Sequence, residues 1–169
     1  PEIYPNLPIR VMNPYEIGSD LVSNALAAFT FFQDRCVVVD FGTALTFTTI
    51  SAEGEILGVS IAPGLKTAIR SLSQNTAQRF DVPLEMPASA LGRGTVHAIQ
   101  AGVLFGYEGM VRHMLDRIKS ELNEPSLRSV ATGGLYSVIP SLSSVFTHMD
   151  PTLTLNGLRI VTEIVQQKE

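Results

Sequence analysis

The stretch Cys36-Val37-Val38-Val39-Asp40-Phe41-Gly42-Thr43-Ala44-Leu45-Thr46-Phe47-Thr48-Thr49-Ile50 constrains this chain more than any other. Its first half is short, apolar and β-branched, the pattern of a buried strand. It closes on an aspartate, a glycine and a threonine, and a second β-rich run follows at once. The two read as a hairpin bent at Asp40-Phe41-Gly42-Thr43. A carboxylate at the end of a buried strand is costly unless it binds something. Gly42 lets a ligand approach the backbone closely, and Thr43 and Thr46 offer hydroxyls. That combination suits a phosphate or a cation. An ordinary hairpin, with Asp40 bonding to its own turn, uses the same residues and stays open as the alternative.

The flanking sequence extends this hairpin into an α/β domain. A turn at Ala52-Glu53-Gly54-Glu55 precedes a strand at 56–61, which gives a three-stranded antiparallel meander. Upstream, Pro1 to Pro14 is proline-rich and without periodicity. Asn13-Pro14 is a turn, and Gly18-Ser19-Asp20 opens a helix over 19–32 with Val22, Ala25, Leu26 and Phe29 on one face. On spacing alone, Ser19 or Asp20 is best read as the cap that satisfies free amides. Downstream of Ala62-Pro63-Gly64 a helix is expected over 65–74, then a proline-bearing loop at 80–90, long enough to cover a site.

The longest helix is expected over 95–122, with apolar positions at Val96, Ile99, Val103, Leu104, Met110, Val111, Met114, Leu115 and Ile118. So wide a stripe suits plain core packing or burial against a second subunit. The remainder reads as strand, turn, helix, strand, helix. The first of these strands, 127–131, ends at Thr132-Gly133-Gly134-Leu135. A glycine pair between strand and helix lets backbone amides face a phosphate, and it also makes a tight turn. Residues 145–147 read as a short strand, and 153–165 as a closing helix that buries Leu158, Ile160, Val161, Ile164 and Val165.

Composition removes several classes of function. The chain has 169 residues, 45% hydrophobic and 17% charged, which fits a globular fold. Its net charge of −4, without a basic run, argues against nucleic acid or an anionic membrane as partner. No apolar run approaches a membrane span, and no signal peptide is expected. The single cysteine, Cys36, sits within a strand, so a reducing compartment fits. Gly92-Arg93-Gly94 lacks the third glycine and the preceding strand of a dinucleotide fingerprint, and a Walker loop is absent. His97, His113 and His148 lack zinc spacing and read as structural or solvent-facing.

Several pieces, taken in order, resemble the type III pantothenate kinases of the acetate/sugar kinase, Hsp70 and actin superfamily. They are Asn13-Pro14, Gly18-Ser19-Asp20, Asn24-Ala25, Ala27-Ala28, Val39-Asp40-Phe41-Gly42-Thr43-Ala44, Ile61-Ala62-Pro63-Gly64 and Gly92 with Gly94-Thr95. Gly102, Gly106-Tyr107-Glu108-Gly109, Thr132-Gly133-Gly134-Leu135 and Leu153-Thr154-Leu155-Asn156-Gly157-Leu158 complete the set. The resemblance implies a ribonuclease-H-like (actin-like ATPase) domain over 35–169. Residues 1–34 would then be the tail of a truncated first domain with a linking helix. The family's Asp-x-Gly-Asn-Thr loop, with its magnesium ligand, is not matched, so the chain alone should not bind ATP productively.

The resemblance further implies ATP-dependent phosphorylation of pantothenate to 4′-phosphopantothenate, the first step of coenzyme A biosynthesis, by a cytoplasmic homodimer that joins through the helix 95–122. Asp20 corresponds to the general base, and Gly18, Ser19, Asp20 and Leu21 to the pantothenate segment, with Thr95 a further contact. Asp40 corresponds to a site for potassium or ammonium. Thr43, with Gly42, Gly133 and Gly134, corresponds to ATP contacts. The chain departs from the family pattern at Leu21, where arginine is usual, near Val11 or Met12, where tyrosine is usual, and at Leu45 and Thr48, where threonine and aspartate are usual. These departures motivate two alternatives: a non-catalytic dimeric binding or regulatory protein, or a kinase for a related small substrate.

Overall fold

The computed structural model describes residues 3–11, 13–74 and 81–167. Met12, Gln74's side chain, and Phe80 at the start of the expected loop lie outside the described residues. Among the described residues, four α-helices and five strands follow in the order α1 (Ser19–Phe32), β1 (Cys36–Phe41), β2 (Ala44–Ile50), β3 (Ile56–Pro63), α2 (Leu65–Gln74), α3 (Thr95–Glu121), β4 (Arg128–Thr132), β5 (His148–Met149) and α4 (Leu153–Gln166). The strands form one sheet in the order β3-β2-β1-β4-β5. β1, β2 and β3 pair antiparallel, while β4 runs parallel to β1, and β5 parallel to β4. An antiparallel meander continued by parallel strands in this order is the ribonuclease-H-like arrangement expected from the sequence.

Period-2 alternation sorts the strand residues into two cores. Val37, Val39, Phe41, Leu45 and Phe47 face α2 and α3 in the first core, with Leu104, Val111 and Leu115 of α3. Cys36, Val38, Ile50 and Val130 face α1 in the second core, with Val22, Ala25 and Leu26. Each fully buried aliphatic side chain contributes about 1.5–3 kcal/mol, so an apolar β1 covered on both faces anchors the domain. Tyr4, Leu7 and Ile9 also join the second core, which ties the proline-rich opening to α1.

α1 ends where Gln33 takes a left-handed conformation, φ 51°, and its N–H donates to the Phe29 carbonyl at 2.8 Å. α4 packs along α1 through Gly157, where an added Cβ would strike the Ser23 carbonyl and lie 2.9 Å from Ser23 Cα. Gly157→Ala is therefore expected to cost about 2 kcal/mol or more by pushing the helices apart. The urea midpoint of unfolding checks it, and an unshifted midpoint would mean that the helices yield freely.

Four expectations need correction. No α-helix follows Gly133-Gly134; turns lead instead into a 3-10 helix at Pro140–Ser144. Pro140 starts that short helix, where proline lacks no needed donor, and the helix ends at Ser144. The last strand is His148–Met149 rather than 145–147, because Phe146 is drawn into the first core instead. Leu158 is not buried but 47% exposed, whereas Ile160, Val161 and Ile164 pack on the second core. The described residues 81–90 do not line the cavities at the sheet end that carries Asp40. Val82 is buried, and Pro83 accepts a hydrogen bond from Gln100 Nε2 at 2.9 Å, so the segment lies against α3.

The histidines agree with their reading. His148 stacks on Phe31 at 4.7 Å, His97 Nε2 lies 3.0 Å from the Ser89 carbonyl, and His113 is exposed.

Candidate functional site

The C-terminal end of β1 builds the site. Residues 36, 38 and 40 share a face, so the parity that buries Cys36 and Val38 under α1 also turns Asp40 toward that helix. In register, Asp40 pairs with Thr46 of β2 on one side and with Thr132 of β4 on the other. One row of side chains on the α1 face is thus Thr46, Asp40, Thr132. The hydroxyls of Thr46 and Thr132 are both buried and both lack a hydrogen-bond partner. Orphaned buried hydroxyls are costly unless something outside the chain satisfies them.

Asp40 is half-buried. Its Oδ2 accepts a hydrogen bond from Asn24 Nδ2 at 2.9 Å, and Thr154 Oγ1 of α4 donates to Asn24 Oδ1 at 2.7 Å. Burial pushes the Asp40 pKa up, the Asn24 hydrogen bond pulls it down, and the negative charge of Asp20 pushes it up again. The net shift is upward. The alternative in which Asp40 bonds only to its own turn is set aside by the Asn24 bond.

Asp20 and Asp40 line one cavity of about 640 Å³, together with Gly42, Thr43, Thr46 and Thr67. Asp20 reaches it from the first turn of α1, one turn before Asn24. Neither Ser19 nor Asp20 caps that helix: Gly18 is the N-cap residue, and no side-chain cap bond forms. Gly18 leaves open the space that the Asp20 carboxylate occupies, because a Cβ there would collide with Asp20 Oδ1. Ser19 is exposed, and its carbonyl accepts from Ser23 Oγ at 2.8 Å. Leu21 is buried rather than turned into the cavity.

The glycine pair completes the rim. Gly133 has φ +90°, and an added Cβ would strike Asp40 Oδ1 and lie 2.7 Å from the Phe41 backbone. Gly134 lines a neighbouring cavity of about 320 Å³ with Gly42 and Thr43. Thr67 Oγ1 donates to the Thr43 carbonyl at 2.9 Å and ties α2 to the hairpin turn.

A profile of the type III pantothenate kinases matches residues 1–117. A type III pantothenate kinase of Treponema pallidum is 47% identical over 167 residues, covering 98% of this chain and 60% of that protein. Another, from Dehalococcoides mccartyi, is 42% identical over 92% of this chain and 59% of its own length. The chain belongs to the type III pantothenate kinase family. It spans about 60% of the length of the curated relatives it matches. A solved structure described as a conserved Baf family transcriptional activator from Campylobacter jejuni superposes with TM-score 0.64. It shares 20% identity, over 98% of this chain and 72% of that one, and supports the fold alone.

In this type III pantothenate kinase family member, Asp20, Asp40, Gly42 and Thr43 come together, with Gly133 and Gly134 adjoining. Thr95 does not join them. It lies at the start of α3 in a separate cavity of about 820 Å³, with Gly92, Arg93, Ala98, Gly102 and Gly106 among its walls. Among the described residues, no three His, Cys, Asp or Glu side chains gather as metal ligands. The donor set at Asp40 is instead one carboxylate flanked by two hydroxyls, hard oxygens suited to an alkali cation. Among the described residues no helix is long and apolar enough to cross a membrane.

Sequence reasoning missed Asn24, Thr67, Thr132 and Thr154 as members of the site. Asn24 is fully buried in the middle of an apolar helix face, and that burial pattern is a signal for a polar contact. Thr154 lies 130 residues from Asn24, and nothing in its neighbouring sequence points to that contact.

Proposed function

We propose that this chain supplies the base, cation and phosphate-contact residues of an ATP-dependent kinase that converts pantothenate to 4′-phosphopantothenate, the first step of coenzyme A biosynthesis. The observation that carries this reading is the single cavity shared by Asp20, Asp40 and Thr43. Phosphoryl transfer asks for an oriented acceptor hydroxyl, a carboxylate to take its proton, and positive charge around the phosphoryl oxygens. Asp20, exposed at the cavity wall, is the base. Gly18, Ser19 and Leu21 complete the pantothenate-binding segment around it, with Leu21 buried behind the cavity wall. Thr43 and the amides near Gly42, Gly133 and Gly134 contact the ATP phosphates.

Asp40, Thr46 and Thr132 hold potassium or ammonium in this reading, supported by the two orphaned hydroxyls that flank the carboxylate. When bound, that cation supplies fixed positive charge near the phosphates, and magnesium accompanies ATP. In this reading residues 1–34, whose helix α1 packs on the sheet in the second core, lead in from a preceding domain that completes the nucleotide site. The enzyme is a cytoplasmic homodimer through α3. This pairing is supported by the separation of Thr95 from Asp20 within one chain, since Thr95 of the partner subunit then completes the acceptor pocket.

The test is turnover by the full-length protein with pantothenate, ATP, magnesium and potassium or ammonium. Formation of 4′-phosphopantothenate is expected; saturable pantothenate binding without turnover would overturn the reading.

Asp40→Asn is expected to abolish the response to potassium. The Asp40 pKa is raised in the fold, so the stability that its protonated form contributes is present below the ordinary carboxylate range. It is lost as pH rises through the raised value. Ionised Asp40 therefore burdens the cation-free protein at neutral pH, and potassium relieves that burden. At a hundred times its Kd the ion should add about 2.7 kcal/mol, or roughly 5 °C in Tm, to the wild type. The gain should shrink as pH falls through the Asp40 pKa, and be absent in the variant. Melting curves in potassium against sodium chloride check this, and an equal response in both proteins would remove Asp40 from the cation site.

A further inference from the structure

We infer that Lys66 and Arg70 of α2 form a polyphosphate-binding subsite that extends the cleft past Thr43. The inference deepens the kinase reading and rests on it for the nucleotide. The cavity of about 320 Å³ beside the hairpin turn is lined by Gly42, Thr43, Lys66, Thr67, Arg70 and Gly134. It shares Gly42, Thr43 and Thr67 with the Asp20–Asp40 cavity, so the two form one groove around the turn. The ends of that groove have opposite charge: two carboxylates at one end and two cations at the other.

The cations are set for a ligand rather than for the chain. Lys66 and Arg70 are four residues apart and share a helix face. Both are exposed, and among the described residues neither makes an ion pair. By contrast Arg112, Arg117 and Arg159 each pair with a glutamate four residues away on their own helix. α2 contains no carboxylate at all. Among the described residues, Asp81 lines a further cavity on their other flank without pairing to either. The Thr67–Thr43 hydrogen bond fixes the helix to the turn, so both cations keep their distance from the phosphate contact.

A nucleoside triphosphate carries several negative charges, and Asp20 and Asp40 repel it. Lys66 and Arg70 offset that repulsion at the end away from the acceptor. Arginine offers a planar fork to two phosphate oxygens, and lysine a compact charge. The groove then has an order: acceptor hydroxyl at Asp20, transferred phosphoryl at Thr43, remaining phosphates at Lys66 and Arg70. No atom of either cation takes part in bond making, so their effect falls on nucleotide binding.

The experiment uses the full-length protein, Lys66→Ala/Arg70→Ala, and the charge-keeping Lys66→Arg/Arg70→Lys. Binding of inorganic tripolyphosphate and of ATP is measured by calorimetry, and initial rates give both KM values. The alanine pair is expected to lose roughly thirtyfold in affinity for each anion and to raise the KM for ATP to match. The KM for pantothenate should stay within about twofold, and the charge-keeping pair should recover most of the loss. The salt dependence of tripolyphosphate binding should flatten in the alanine pair. Unchanged ATP affinity in a folded alanine pair overturns the subsite and leaves the kinase reading standing. A rise confined to the KM for pantothenate also overturns it. Tripolyphosphate binding that needs both cations, in a protein that does not turn over pantothenate, supports the subsite and overturns the kinase reading instead.

Discussion

Asp20→Asn is expected to lower turnover by about 10²- to 10⁴-fold, the usual worth of a positioned general base. The fold should survive the change. Asp20 is exposed, makes no cap bond and sits at the end of α1 rather than in either core. Nucleotide binding should be kept, because the phosphate contacts proposed here lie on the hairpin turn and on α2. The substitution also removes one of the causes that raise the Asp40 pKa, so that group should titrate closer to the ordinary carboxylate range. Single-turnover rates with ATP and pantothenate, read beside the melting curve, separate chemistry from folding. Near wild-type turnover in the variant would exclude Asp20 as the base.

Gly133→Ala should be strongly destabilising. A φ of +90° is strained for alanine, and the new Cβ would meet Asp40 Oδ1 and the Phe41 backbone. Backbone strain of about 1–3 kcal/mol and overpacking of about 1–3 kcal/mol together predict a loss of roughly 2–6 kcal/mol. The collision also displaces the carboxyl group that Asn24 holds, so the potassium response should fail along with stability. Gly134→Ala is the control, since a Cβ at that position meets nothing within 4 Å. Denaturant midpoints of the two variants, compared with and without potassium, check the prediction. Equal midpoints would mean that the rim around Gly133 is loose.

Much of the fold is legible along the chain because its signals are local. β-branched runs with period 2 specify β1 and β2, and the turn residues between them specify the hairpin, so register follows. The stripe of α3 marks its buried side, and the proline and glycine at 63 and 64 mark where α2 begins. The region after Gly133 misleads for the opposite reason. Its apolar residues are spaced compatibly with helix or strand, and only packing against α3 and the first core draws it into turns. Leu158 fails likewise, because an apolar residue at helical spacing is buried only if a neighbour stands opposite it.

The sequence by itself determined the residue types of the site and their order: Asp20 at a helix start, Asp40 at a strand end, and a glycine pair after β4. Tertiary structure decided their relations. Strand parity put Asp40 under α1, sheet register set the Thr46 and Thr132 hydroxyls beside it, and helix packing brought Thr154 to Asn24. It also parted Thr95 from Asp20 and joined Lys66 and Arg70 to the hairpin turn. Periodicity and turn chemistry act over a few residues and can be read in one dimension, but contacts between side chains on different elements exist only once the sheet has fixed which faces meet.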